Sequence, residues 1–194
     1  MMIERYTLPE MGEIWSENAK FKTWLEVELA ACQANFELGN ISKEDLDQIK
    51  TKSKFNVERI KEIEREVKHD VIAFLTNLNE YVGDAGRFIH VGMTSSDILD
   101  TGLSLQLRES CNLLINEIEE LEDGIRNLAS QHKDTLMIGR SHAIHGEPIS
   151  FGFKLAGWLA EIIRDKKRLK YLKKKLQLDK LVVRWEHMPI QIQR

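Results

Sequence analysis

Apolar residues in this chain recur three and four positions apart almost everywhere after residue 12, which is the period of an amphipathic helix. From Ser16 to Leu38 a run of strong helix formers places Trp24, Val27, Ala31, Ala34 and Leu38 on one face, and Gly39 follows as a C-terminal cap. Ser42 with Asp45 resembles a capping box with Asp in place of Glu and opens a short charged helix. Asn56 caps another helix running to about Lys68, and Asp70 takes the cap position of a third, DVIAFLTNLNEYV. The glycine-rich stretch GDAGRFIHVGMT then breaks the pattern.

The longest periodic stretch follows. Leu107, Cys111, Leu114, Ile118, Leu121, Ile125 and Leu128 alternate four and three apart, a coiled-coil-like seam along a helix of about 35 residues. LMIGRSHAIHGEP interrupts it as a polar, glycine-rich excursion. Pro148 then starts a second long helix to about Leu178, with Leu155, Leu159, Ile162, Leu169 and Leu176 inward. No strand and no internal repeat is expected. The pattern predicts an all-α chain: a small helical domain over 1–93, the first long helices of an elongated, incomplete bundle over 94–180, and a tail over 181–194 that leaves the helical period.

Composition narrows the class. A chain of 194 residues that is 42% hydrophobic can bury one sizeable core. Its formal net charge of -3 opposes a general polyanion binder, so no nucleic-acid partner is expected. The basic run RDKKRLKYLKKKL reads as a solvated helix face, because Leu169, Leu172 and Leu176 keep a buried stripe through it. Cys32 and Cys111 match no ligand or CxxC spacing and fit reduced thiols. The amino terminus lacks the apolar core of a signal peptide, and no stretch nears the ~20 apolar residues of a membrane helix. A cytoplasmic location with no membrane partner is expected.

Four polar segments stand outside the helical pattern: ERY at 4–6, KHD at 68–70, HVGMTSSD at 90–97 and GRSHAIHGEP at 139–148. Singly, each has a plain structural explanation: an exposed arm, a first-turn surface residue, a capping pair of Thr94 with Asp97. Together they suggest a site. Thr94, Ser95 and Ser96 offer hydroxyls beside the N–H groups and positive dipole end of the longest helix, which suits a carboxylate or phosphate. His142 and His145 have no HExxH, neighbouring cysteine or convergent carboxylates, so they are not read as metal ligands. An imidazole in a glycine-bounded loop, held by Arg140 and Ser141, suits acid/base work near neutral pH.

In this order, MIERY, KHDV, GMTSSDILDT and above all GRSHAIHGEPISFG resemble the adenylosuccinate lyases of the fumarase and aspartase superfamily, over about residues 2–180. The resemblance implies β-elimination of fumarate from adenylosuccinate, and from a succinylated carboxamide imidazole ribotide, with no cofactor. It implies that His142 is the acid that meets the departing nitrogen. It places Arg5 and Tyr6 on the nucleotide, Lys68, His69 and Asp70 along the nucleotide side of the pocket, and Thr94 and Ser95 on the succinyl carboxylate or neighbouring atoms. His90 and Ser141 fall near the site without a role, and His145 is structural. The family works as a homotetramer whose sites join three subunits, and takes its base, a serine, from a later mobile loop resembling SSxMPxKxNP that this sequence lacks. Another fumarate-releasing lyase of the superfamily, such as argininosuccinate lyase, or a non-catalytic helical remnant, remains an alternative. The tail KLVVRWEHMPIQI has no counterpart in the family, which continues with a segment resembling ISGAVGTYANxD. Codons for this tail exist that, regrouped from the third base of the Lys180 codon, encode Ile-Ser-Gly-Ala-Val-Gly-Thr-Tyr-Ala-Asn-Thr-Asp. Residues 181–194 are therefore expected to be a frameshift product, with Trp185 solvent-accessible, on a truncated and inactive chain.

Overall fold

Side-chain caps set where most of the early helices begin. In the computed structural model, which describes residues 3–176, α1 (Pro9–Ile14) is followed by α2 (Glu17–Glu37), α3 (Lys43–Lys52), α4 (Val57–Val67) and α5 (Asp70–Val82). Ser16 Oγ accepts from the Ala19 N–H at 3.0 Å and Asn56 Oδ1 from the Arg59 N–H at 2.9 Å. Ser42 does so for Asp45 at 3.0 Å while its hydroxyl donates back to the Asp45 carboxylate at 2.8 Å. Each satisfies an N–H that the helix itself leaves without a partner.

The start of α5 departs from expectation. His69, not Asp70, is its cap: Nδ1 accepts from the Ile72 N–H at 3.4 Å, while Asp70 is already helical and its Oδ1 accepts from the Val71 N–H at 2.8 Å. The cause lies one residue earlier. Lys68 closes α4 in the left-handed region at φ 54°, and this sharp turn leaves His69 extended in the capping geometry.

The face that α2 buries also differs from the expected one. Phe21, Trp24, Glu28 and Cys32 go inside, whereas Ala34 and Leu38 are exposed. Two aromatic rings outweigh small alanines in buried area, and they rotate the helix toward them. Phe21 stacks on Phe74 with centroids 5.7 Å apart, and Trp24 meets both rings edge-on at 5.2 and 5.5 Å. Ile60, Ile63, Val71, Leu78 and Ile98 complete this cluster, with Met93 packed against it. A Cβ on Gly102 would lie 2.8 Å from the Trp24 ring, so glycine is what lets the next helix approach the indole. A second cluster gathers Cys32, Ile41, Leu46, Ile49, Val82 and Ala85. Burial pushes the Cys32 thiol up to about 11, with the Glu28 charge adding to it.

After a 3₁₀ stretch at Gly83–Phe88, α6 runs from Ser95 to Gln131. The described residues divide into two compact units, one up to Gln106 and one from Leu107 to 176. In the second, only Cys111 and Ile125 of the expected seam are buried, joined by Ile115 from outside it, while Leu114, Leu121 and Leu128 are exposed. The interior of this face is partly ionic. Glu122 pairs with Lys166 and, at 2.5 Å, with Arg126, and Glu119 accepts from Lys170 at 2.8 Å. The hydrogen bond from Lys166 comes first among the interactions that hold the Glu122 carboxyl below its usual range. These lysines belong to α7 (Phe151–Lys175), where Leu155 is buried but Leu172, expected in a buried stripe, is exposed.

The main correction is a strand pair where none was expected. β1 (Leu136–Ser141) and β2 (Ile144–Ser150) form an antiparallel hairpin, with Ser141 opposite Ile144 and Pro148 opposite Ile138. Pro148 is therefore a strand residue on a two-stranded edge, where its missing N–H costs no ladder bond to a third strand. Ser150 caps α7 instead, its Oγ accepting from the Phe153 N–H at 3.1 Å, and the helix starts three residues later than expected. A register shift falls between Ile138 and Arg140, where a Cβ on Gly139 would come within 2.7 Å of the Glu147 carbonyl oxygen. The architecture remains helical, with this hairpin as its small sheet. The tail at 181–194, including Trp185, lies outside the described residues.

Candidate active site

The residues singled out in the sequence occupy helix ends and turns. Arg5 and Tyr6 lie on a 3₁₀ turn, Glu4–Tyr6, with the Arg5 guanidinium 4.7 Å from the centre of the Tyr6 ring, which is 73% exposed. Lys68, His69 and Asp70 form the link between α4 and α5, and His69 Nδ1 lies 3.6 Å from Asp70 Oδ1. Thr94 and Ser95 sit at the start of α6. The Thr94 N–H donates to Asp97 Oδ2 at 2.8 Å, half of the expected capping box, so this N–H is already taken. Any carboxylate held there would rely on the hydroxyls and on later N–H groups. Val71 and Ile98 belong to the same apolar cluster, which ties the 68–70 and 94–97 segments to one core.

Ser141 and His142 belong to the other unit. His142 and Ala143 are the two turn residues between β1 and β2, at φ 51° and 60°. Positive φ at both central positions is the signature of a type I′ hairpin turn, usually met by Asn-Gly. The loop expected around His142 is thus a hairpin tip, exposed on the surface of its unit. Arg140 turns toward His145 rather than His142, its Nη2 lying 3.4 Å from the His145 Nε2. No group of three or more His, Cys, Asp or Glu able to hold a metal ion occurs among the described residues.

His90 occupies the turn before α6, with φ 67°, and its carbonyl accepts from the Met93 N–H at 3.3 Å. Its Nδ1 lies 2.7 Å from Glu28 Oε1, and its N–H donates to Glu28 Oε2 at 3.0 Å. Sequence reasoning missed Glu28. A signal existed: it is the lone acid on the face otherwise made of Phe21, Trp24 and Cys32, and an acid on an apolar stripe needs a partner.

The signature of a family described as lyase matches residues 4–183. The chain belongs to the lyase family. It is 62% identical over 168 residues to the adenylosuccinate lyase of Synechocystis sp., a match taking in 87% of this chain and 39% of that relative. It is 46% identical over 183 residues to the adenylosuccinate lyase of Aquifex aeolicus, covering 93% of this chain and 42% of the relative. Among solved structures it is similar to a fumarate lyase from Mesorhizobium sp., with a TM-score of 0.85 and 28% identity, over 93% of this chain and 44% of that one. This lyase chain thus spans about two-fifths of the length of the curated relatives it matches.

Proposed function

We propose that this lyase chain is the amino-terminal part of an adenylosuccinate lyase, releasing fumarate from adenylosuccinate and from the succinylated carboxamide imidazole ribotide by β-elimination. One structural observation carries the assignment of residues. Among the described residues, four that are not glycine adopt positive φ: Lys68, His90, His142 and Ala143. Such conformations cost of order 1–3 kcal/mol each and concentrate where function demands them. Three of the four lie in the polar segments that stand outside the helical pattern of the sequence, and the fourth completes the turn that carries His142.

In this reading His142 donates the proton that meets the departing nitrogen, because expelling an amine from a carbon skeleton needs an acid within reach. Arg5 and Tyr6 hold the nucleotide; Lys68, His69 and Asp70 line its pocket; Thr94 and Ser95 take the succinyl carboxylate with the dipole of α6 behind them. The base comes from a segment beyond this chain. The tail from 181 is read in a shifted frame. The setting is cytoplasmic. Fumarate release by a chain completed with the remaining segments of the Synechocystis relative tests the activity. Adenylosuccinate is expected to be cleaved and argininosuccinate not, and the reverse preference overturns the assignment.

The homotetramer belongs to the same proposal and is supported by the second unit. Leu114, Leu121 and Leu128, seven apart and all exposed, leave one side of α6 without an apolar cover among the described residues. Sedimentation velocity is expected to find the 194-residue chain self-associated, and less so with Leu114→Glu and Leu121→Glu together. A monodisperse wild-type monomer with a sharp cooperative melt overturns this part.

A further inference from the structure

Glu28 is 1% exposed in the middle of α2, and both of its carboxylate oxygens are engaged by one residue. Oε2 accepts from the His90 N–H and Oε1 faces His90 Nδ1 at 2.7 Å. A buried carboxylate is tolerated only where its lone pairs find donors, and this one finds them 62 residues away in the turn that leads into α6. The contact acts at two levels. The bond to the N–H helps hold His90 at φ 67°, a left-handed conformation that is uncommon for a residue other than glycine. The bond to the ring decides which nitrogen carries the hydrogen.

An ionised carboxylate only accepts, so the His90 Nδ1 that faces it must donate. In the neutral ring this leaves Nε2 without a proton. The imidazole is 20% exposed while its partner is sealed in the core, so Nδ1 is committed to the buried carboxylate and Nε2 is the ring nitrogen that the carboxylate leaves open. We infer that Glu28 is a positioning residue that fixes His90 in the Nδ1–H form and presents Nε2 as a hydrogen-bond acceptor to a hydroxyl or N–H group of the bound nucleotide. The role in binding rests on the proposed lyase function; the tautomer does not.

The substitution Glu28→Gln makes a sharp test. Glutamine is isosteric with glutamate, but it has one acceptor oxygen instead of two. The His90 N–H can only donate and claims that oxygen, so the amide NH2 of the substituted side chain faces Nδ1 and forces it to accept. The ring proton then moves to Nε2. Two-bond proton–nitrogen correlation spectra of the ¹⁵N-labelled 194-residue chain, with the His90 signals identified by their loss in His90→Asn, read this directly. The wild type is expected to show a protonated Nδ1 and a bare Nε2, and Glu28→Gln the reverse. A wild-type ring protonated only at Nε2 overturns the inference even where Glu28→Gln fails to fold, and so does an unchanged tautomer in a folded Glu28→Gln.

The completed enzyme separates the two levels. Groups that fix the orientation and tautomer of a functional histidine are worth about 10- to 100-fold, and Glu28→Gln is expected to lower kcat/KM by that factor with little loss of fold. If the completed wild type releases no fumarate, the lyase reading fails and the tautomer result stands. If it does, and Glu28→Gln with a reversed tautomer is equally active, the positioning role is wrong.

Discussion

His142→Gln in the completed enzyme is expected to lose fumarate release by about 100- to 10,000-fold, the range that a positioned proton-transfer group supplies. Glutamine keeps comparable size and the ability to donate a hydrogen bond, but it cannot give up a proton near neutral pH. The substitution therefore separates hydrogen bonding from acid catalysis. The hairpin makes the test specific. His142 lies at the tip, exposed within its unit and with only Ala143 between it and the start of β2, so its side chain holds no core together. Its φ of 51° adds one complication, because glutamine tolerates the left-handed region less readily than histidine does. Asparagine fits that conformation better, so His142→Asn serves as the backbone control. Both variants should retain the wild-type melting temperature within a few degrees and lose turnover. Single-turnover kinetics with bound adenylosuccinate places the defect in the chemical step; rates within a few-fold of wild type would remove His142 from the mechanism.

What was legible in the sequence was mostly local. Ser16, Ser42 and Asn56 announce helix starts because their side-chain oxygens compete for backbone N–H groups within three residues, a rule that needs no tertiary context. Burial was less legible. On α2 Trp24 lies inside as expected, but Ala34 and Leu38, assigned to its face, do not, because Phe21 joins Trp24 in meeting Phe74, which lies 50 residues beyond Trp24 along the chain. On α6 the leucines at seven-residue spacing look inward by period, yet Glu122 is inside and Leu121 outside, because Lys166 and Arg126 supply the partners an inward acid requires. The hairpin was hidden for a related reason. Both strands lie largely exposed, so no buried face writes an alternating pattern into the sequence, and the turn is His-Ala rather than Asn-Gly. The candidate site stood out only as polar islands between apolar runs, to which the family resemblance added roles. Glu28 lies among the charged residues Lys22 and Glu26 of the same helix, so its place on the face of Phe21, Trp24 and Cys32 was the one mark that set it apart.

Phe74→Ala is expected to be the most damaging single truncation in the amino-terminal unit. The ring is 0% exposed and meets three aromatic partners: Phe21 in a stack, Trp24 edge-on and Phe55 tilted at 6.3 Å. Removing a buried phenylalanine costs ~3–5 kcal/mol, since the lost transfer energy is joined by the cavity its neighbours fail to close. Against a typical stability of about 5–15 kcal/mol for a domain, that is a large share of the total. Ile72, two residues away on the same helix and 47% exposed, is the matched comparison, and Ile72→Ala should move stability by under ~0.5 kcal/mol after helix propensity is allowed for. Urea unfolding followed by far-ultraviolet circular dichroism measures both. Equal midpoints for the two variants would mean that the aromatic cluster is not the core. The consequence reaches the site as well as the fold. Val71 and Ile98 pack in the cluster that Phe74 centres, and they follow directly on the 68–70 and 94–97 segments. A cavity there gives both segments room to shift, and in the completed enzyme substrate affinity should fall at temperatures well below the melt.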